Sequence, residues 1–144
     1  MTKDPKVLRA LVSVRNRMRD MAAAEHAQRD GECATAKKRI DLEATTLDEL
    51  LDSAGLILHR AASVYDLDLV AKDVAAQRQQ IALARQHHVE ARAIADLAAS
   101  KLRDRTRQLR TAERLVEIAR DARATDEAKT EQRGTDDLVA SRSR

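Results

Sequence analysis

The chain has 144 residues, of which 35% are charged, 43% are hydrophobic and 1% are aromatic. Tyr65 is its single aromatic residue, so the chain lacks the large rings that usually fill a globular core. Charged residues, alanine and leucine dominate instead, with three glycines and one proline, a composition typical of long helices and coiled coils. High charge with few aromatics also fits a disordered chain, but the helical periodicity described below favours a folded one.

A first helix is predicted over about residues 5–54, because Asp4 can cap the first turn and Pro5 suits the first helical position. Two apolar runs repeat at alternating steps of three and four, the spacing of a coiled-coil seam. The runs are out of phase, so we expect a stutter or local unwinding of the helix near Gly31. The predicted seam comprises Val7, Leu11, Val14, Met18 and Met21 in the first run, and Ile40, Ala44, Leu47, Leu51, Ala54 and Leu58 in the second.

The chain is predicted to turn back over about residues 55–64. Gly55 can end the first helix in the left-handed conformation, and Ser63 with Asp66 forms a capping-box pattern before the second. The second helix is predicted over about residues 65–132, followed by a frayed tail over 133–144.

One unbroken register on the second helix is the clearest structural signal. Thirteen of its sixteen positions are apolar, and six of these are alanines, which let two helices approach closely but bury little surface. We therefore predict an all-α fold: a long antiparallel two-helix coiled-coil hairpin that forms a single domain over 1–144. The register comprises Leu67, Val70, Val74, Gln77, Ile81, Ala84, His88, Ala91, Ala95, Ala98, Leu102, Arg105, Leu109, Ala112, Val116 and Ala119.

Charge is distributed unevenly along the chain. Residues 3–19 contain six basic residues and one acidic residue, a net charge of +5, and residues 101–123 contain eight basic and four acidic residues, a net charge of +4. Residues 41–55 contain five acidic residues and no basic one. A hairpin would place the two basic segments side by side, at the end far from the acidic segment. A basic end of this kind is expected to seek an acidic surface on a partner.

Several functions are disfavoured by the sequence. The adjacent His87 and His88 point to different helix faces, and no cluster of Cys or carboxylate completes a metal site with His26. No nucleotide-binding loop or nucleophile motif is present, so we predict neither an enzyme nor a cofactor. Nucleic-acid binding is disfavoured because acids alternate with the arginines and no aromatics are interleaved for stacking. Without a membrane-length apolar run, signal-peptide block or second cysteine beside Cys33, the protein is predicted to be cytoplasmic.

Three stretches resemble the FliJ/YscO family of bacterial type III export. The opening Leu8-x-x-Leu11-x-x-Val14-Arg15, followed by three alanines at 22–24, is similar to the family's opening stripe. The turn followed by Tyr65 and an apolar heptad is similar to its middle region. The closing residues 131–138, Glu-Gln-Arg-Gly-Thr-Asp-Asp-Leu, are similar to its basic-then-acidic ending.

The resemblance implies a coiled-coil stalk without catalytic activity, similar to the stalk of the gamma subunit of rotary ATPases, in flagellar export or in an injectisome. Its paired termini would enter the pore of a hexameric export ATPase, and its far part would reach the export gate, a membrane protein at the inner-membrane apparatus. It would also escort export chaperones. The implied ATPase contacts are Leu8, Leu11, Arg15, Arg114, Arg120, Arg133 and Asp137. The implied gate contacts are Leu67, Ala71, Val74 and Arg78.

Two other functions stay open on the residues alone. The chain could be a generic cytosolic coiled-coil scaffold that associates with itself, because a hairpin and a two-chain bundle share one heptad pattern. It could also be a basic binder of nucleic acid or lipid, whose affinity would fall steeply with salt.

Overall fold

A computed structural model describes residues 4–60 and 63–142 of the chain. It contains two α-helices, α1 (Pro5–His59) and α2 (Val64–Arg142), and these described ranges contain no β-strand. The helices pack against each other in antiparallel orientation. Arg15 reaches Gln108 while Met18 meets Arg105, so that three steps forward on α1 correspond to three steps back on α2. The predicted fold class, an all-α hairpin of two long antiparallel helices, is confirmed.

Two compact units are distinguished within the chain. The terminal unit comprises Met1–Ala22 and Lys101–Arg144, and the connection unit comprises Ala23–Ser100. Each is a pair of antiparallel helical segments. The two basic segments fall in the terminal unit and the acidic segment falls in the connection unit. A single domain over 1–144 stays a prediction.

Both helix starts are capped as the sequence predicts. Asp4 directly precedes Pro5, the first helical residue, and its Oδ1 accepts from the backbone N–H of Lys6 at 2.9 Å. At α2, the N–H of Asp66 donates to Oγ of Ser63 at 3.2 Å, and the N–H of Ser63 donates to the Asp66 carboxylate at 2.9 Å. These reciprocal bonds form the predicted capping box. The Ser63 hydroxyl and the Ser63 backbone N–H both stabilise the ionised carboxylate of Asp66, and this lowers the pKa of Asp66.

Both helices extend beyond their predicted ends. Gly55 does not terminate α1, which continues to His59 and closes with a turn in which the Arg60 N–H donates to the carbonyl of Ile57. Ser53 is accommodated within the helix because its hydroxyl donates to the carbonyl of Glu49 at 2.9 Å. The connection is therefore shorter than 55–64, and its residues 61–62 lie outside the described part of the chain.

The predicted frayed tail is helical through Arg142, and the last two residues of the chain lie outside the described range. Hydroxyl groups along this segment donate to carbonyls of the preceding turn, as Thr130 does to Asp126 at 2.8 Å and Thr135 to Glu131 at 2.7 Å. Every side chain over residues 124–142 is exposed.

The seam of α1 differs from the predicted stripe in the terminal unit. Leu8 is 4% exposed, whereas Val7 is 59% exposed, and Val14 and Met21 are exposed as well. The prediction was wrong at these three positions because the predicted stripe and the observed stripe both contain Leu11 and Met18. The apolar pattern alone cannot separate them. The observed buried and half-buried seam comprises Leu8, Leu11, Arg15, Met18 and Ala22.

In the connection unit, α1 follows a second phase. Glu25 continues the spacing of the first phase and His26 begins the second, and both are half-buried. The predicted phase shift is therefore present, but α1 remains helical through Gly31 and does not unwind. Leu51 and Leu58 were predicted in the seam and are exposed instead. The observed seam here comprises His26, Arg29, Cys33, Ala36, Ile40, Glu43, Leu47, Leu50 and Ala54.

The seam of α2 matches its prediction closely. All sixteen predicted positions are buried or half-buried except Leu67. Seven of the ten buried hydrophobic residues of the described chain are alanines, so the two helices meet largely through small side chains. Such a seam permits close helix contact, but each alanine contributes less burial than a leucine, by about 2 kcal/mol at roughly 0.8 kcal/mol per CH₂.

Two glutamines make hydrogen bonds between the helices. Nε2 of Gln77 donates to both the backbone carbonyl and the carboxylate of Glu43, at 2.9 and 2.8 Å. In the terminal unit, Oε1 of Gln108 accepts from Arg15 at 2.8 Å and from Arg105 at 3.0 Å. The Gln77 bonds are partly buried, so a shifted pairing would leave these polar groups without partners and the bonds favour one register in the connection unit.

Candidate interaction surfaces

Each unit has two long faces, which can be defined relative to the seam. In an antiparallel pair, residues one position before a seam residue lie on the same side of both helices, and residues one position after lie on the opposite side. We call these the preceding face and the following face of a unit. In the connection unit, a groove of about 800 Å³ lies along the preceding face, lined by Thr35, Arg39, Leu83 and His87 among others. Each of these four residues directly precedes a seam residue.

The preceding face of the terminal unit contains an exposed apolar stripe. Val7, Val14 and Met21 are spaced by seven residues on α1 and are exposed along it. On α2, Leu115 lines a groove on this face together with Leu11, Arg15 and Gln108. Exposed Ile118 continues the apolar surface along α2. Exposed apolar side chains gathered on one face commonly mark a site of contact with another protein.

The following face of the terminal unit is charged. A groove on this side is lined by Arg9, Val12, Glu113 and Glu117. A neighbouring groove is lined by Leu8, Arg120 and other residues of the two helices. The terminal unit therefore combines an excess of positive charge with one apolar and one polar face.

The predicted ATPase contacts fall into three structural groups. Leu8 and Leu11 lie in the seam, where they hold the two helices together. Arg15 is half-buried, and its guanidinium donates to Gln108 of α2 at the surface of the pair. The remaining residues are exposed on α2: Arg114, Arg120, Arg133 and Asp137. Of these, Arg133 and Asp137 lie within the fully exposed helical segment 124–142.

The predicted gate contacts lie on the following face of the connection unit and in the seam beside it. Ala71 and Arg78 directly follow seam residues Val70 and Gln77, so they lie on the following face, whereas Leu67 is exposed at a seam position. Val74 is half-buried in the seam beside them. Sequence analysis missed Leu51 and Leu58, which occupy the same face on α1. Their spacing of seven residues was the available signal, but it was assigned to the seam.

Several ion pairs connect neighbouring residues of one helix. Arg29 pairs with Glu32 at 2.9 Å, and Lys72 pairs with Asp68 at 2.7 Å. Hydrogen bonds from Arg29 and then Gln28 lower the pKa of Glu32. These exposed pairs contribute little to stability.

No group of three His, Cys, Asp or Glu residues within the described ranges could hold a metal ion. His88 is half-buried in the seam and His87 lines the groove of the preceding face. Across residues 4–60 and 63–142, neither helix is long and apolar enough to cross a membrane.

These features define a class of protein: a helical hairpin with an alanine-rich seam whose candidate sites lie on its outer faces. Among known proteins, the chain matches the family model described as the flagellar FliJ protein over residues 5–144. The chain belongs to this family, which confirms the resemblance drawn from its sequence. It is accordingly a component of the flagellar export apparatus and of type III protein transport. No curated protein and no solved structure matches the chain.

Proposed function

We propose that this chain is a non-enzymatic, cytoplasmic stalk of the flagellar export apparatus. In this proposal the terminal unit binds within the pore of the hexameric export ATPase, and the following face of the connection unit contacts the export gate. The observation that carries the ATPase contact is the terminal unit itself, because it combines an exposed apolar stripe with two basic segments.

The apolar stripe supplies the contact area. Val7, Val14 and Met21 extend along α1 and are joined by Leu115 and Ile118 on α2. These side chains do not stabilise the helix pair, because the seam is filled by other residues. Burial against a partner would remove them from water, at roughly 25 cal/mol for each Å² of apolar surface.

The positive charge supplies orientation. With net charges of +5 and +4 on its two segments, the terminal unit is attracted to an acidic surface and repels a second copy of itself. This charge favours a heterologous partner over the self-associating scaffold. Arg114, Arg120 and Arg133 are exposed and available for such a contact, whereas Leu8 and Leu11 act indirectly by holding the helices together.

The first experiment measures ATP hydrolysis and hexamer content of the cognate export ATPase with increasing amounts of this protein. We expect stimulation by the natural sequence. Val7→Ser, Val14→Ser and Met21→Ser combined should raise the concentration for half-maximal stimulation at least tenfold. The matched control carries Leu42→Ser, Val89→Ser and Leu97→Ser, three equally exposed apolar positions in the connection unit.

A charge-reversal set tests the basic surface separately. Arg114→Glu, Arg120→Glu and Arg133→Glu combined should abolish stimulation, with loss of affinity greatest at low salt. Arg15 is left unchanged, because its replacement would disturb the bond to Gln108. The control, Lys38→Glu with Arg85→Glu and Arg92→Glu, makes the same charge change at exposed positions of the connection unit. Equal stimulation by the terminal-unit and control variants would refute docking through the terminal unit.

A further inference from the structure

We infer that the following face of the connection unit is a docking groove for an amphipathic helix with a basic flank, supplied by a partner protein. The two walls of the groove would be Leu51 and Leu58 on α1 and Ala71 on α2, with Leu67 exposed at the end of the seam beside them. The inference deepens the gate contact and rests on the proposed function for the identity of the partner. It adds the α1 wall and the chemistry of the segment that binds.

The face is established by the register of the two helices. Leu51 directly follows seam residue Leu50, and Ala71 directly follows half-buried Val70. The grooves of both units support this geometry, since residues lining one groove hold the same offset from the seam on both helices. Leu51 and Leu58 on α1 therefore lie on the same side of the pair as Ala71 on α2.

The α1 wall is apolar and exposed. Leu51 is 44% exposed and Leu58 is 55% exposed, although both are large aliphatic side chains. Gly55 lies between them on α1, and a Cβ at that position would meet no heavy atom within 4 Å. The surface between two adjacent antiparallel helices is a shallow groove. A third helix can pack in such a groove through its apolar side chains.

The charge along the α1 wall selects the sign of the occupant. Asp41 and Asp48 directly follow seam residues Ile40 and Leu47, so they extend the same face away from the connection. The nearby carboxylate of Glu43 is already engaged by Gln77, but both aspartates are exposed. Residues 41–55 contain no basic residue, and Asp41 and Asp48 outnumber Arg78 on the α2 side of the same face, so the face keeps a negative net charge. An occupant with Lys or Arg along one flank is attracted here, whereas an acidic helix or an anionic lipid surface is repelled.

The length of the face sets the length of the occupant. Asp41 and Leu58 are separated by about 25 Å along α1, at a rise of 1.5 Å per residue. A partner segment of about 18 residues would therefore span the acidic residues and the apolar walls together. Leucines of the partner would contact the walls near the connection, while its basic flank would lie beside Asp41 and Asp48.

The test uses the full chain and two designed peptides of 18 residues, labelled with fluorescein. One is an amphipathic helix of leucine and lysine, and the other has the same leucines with glutamate at every lysine. Binding is followed by fluorescence anisotropy at several salt concentrations. We expect the lysine peptide to bind at least tenfold more tightly than the glutamate peptide, with a difference that narrows as salt increases.

Paired variants locate the site. Leu51→Ser with Leu58→Ser should weaken binding of the lysine peptide at least tenfold. Its control, Leu83→Ser with Leu97→Ser, changes two leucines that are 52% and 72% exposed but precede seam residues and so lie on the opposite face. The control should bind within twofold of the natural sequence. Circular dichroism at 222 nm establishes that both variants retain the helical fold.

A second pair tests the charge. Asp41→Asn with Asp48→Asn should weaken lysine-peptide binding at least threefold and flatten its salt dependence. Glu49→Gln with Asp52→Asn removes the same charge from the same segment away from this face and should have a smaller effect. Equal effects of the two pairs, equal affinity for the two peptides, or a loss of binding in the Leu83 and Leu97 control would each overturn the proposal.

The remaining outcomes separate this inference from its alternatives. If the Leu51 and Leu58 variant instead loses binding to vesicles of phosphatidylcholine and phosphatidylglycerol, the face is a lipid-binding surface and the helix proposal is wrong. If peptide binding behaves as expected while the terminal-unit variants stimulate the ATPase normally, the docking groove stands and the proposed ATPase contact fails. If the terminal-unit variants lose ATPase stimulation as expected but neither peptide binds, the proposed ATPase contact stands and the docking groove fails.

Discussion

The register of α1 in the terminal unit can be tested by shortening two adjacent side chains. Leu8 is 4% exposed, and its neighbour Val7 is 59% exposed. Leu8→Ala removes three buried carbons, which at about 0.8 kcal/mol each costs roughly 2 kcal/mol of unfolding free energy. The site opens onto a groove, so water can refill the space and the cavity cost that raises enclosed substitutions further is small here. For a chain of this length, that loss lowers the Tm by about 6 °C.

Val7→Ala should raise the unfolding free energy slightly or leave it unchanged. It removes little buried surface, and alanine is a better helix former than valine by up to about 0.7 kcal/mol. Thermal and urea unfolding followed by circular dichroism at 222 nm measure both variants under identical conditions. A Val7→Ala variant that is less stable than Leu8→Ala would refute the observed seam and restore the stripe that contains Val7, Val14 and Met21.

Three further predictions concern single sites. Gln77→Ala should lower the unfolding free energy by about 1 kcal/mol in urea titrations, because Glu43 loses its donor across the helix pair. Unchanged stability would show that this bond does not determine the register of the two helices. The lowered pKa of Asp66 means that its capping contribution is present near neutral pH and is lost as the pH falls below about 4. Asp66→Asn should therefore lower the Tm more at pH 7 than at pH 2.5, and an equal loss of Tm at both pH values would contradict this. Gly31→Ala should raise the unfolding free energy by about 1 kcal/mol, since the added methyl meets no atom within 4 Å and the residue is helical; a fall in Tm would indicate a different backbone there.

The fold was predictable because the second half of the chain contains one dominant periodic signal. From Leu67 to Ala119 the apolar spacing never changes phase, so it defined the seam of α2 without competing solutions. The caps at Asp4 and Ser63 were equally local, since each depends on side chains within one helical turn. Helix ends were harder to predict, because Gly55 can serve either as a terminator or as an interior residue, and the surrounding packing decides between them.

The candidate faces could be predicted only in part. Leu51 and Leu58 were recognised as a stripe, but burial on the seam and exposure on an adjacent face produce the same seven-residue repeat. The side on which Ala71 and Arg78 lie depends on which residues of α2 contact α1. That choice is made by pairings such as Gln77 with Glu43, which join residues far apart in sequence and leave no local signature.

The distribution of large and small apolar residues argues that contacts beyond the helix pair contribute to this protein's function. Seven of the ten buried hydrophobic residues are alanines, while twenty large hydrophobic side chains of the described residues are exposed. A chain selected only to form a stable hairpin would gain about 2 kcal/mol for each seam alanine replaced by a leucine with room to pack. This sequence places its larger side chains on the outer faces instead, where they cost solubility and stabilise nothing within the pair. A partner that covers them would stabilise the fold by mass action, because it binds the paired helices and not the unfolded chain. The free hairpin should therefore be only modestly stable, and a bound partner should raise its Tm by an amount that grows with partner concentration.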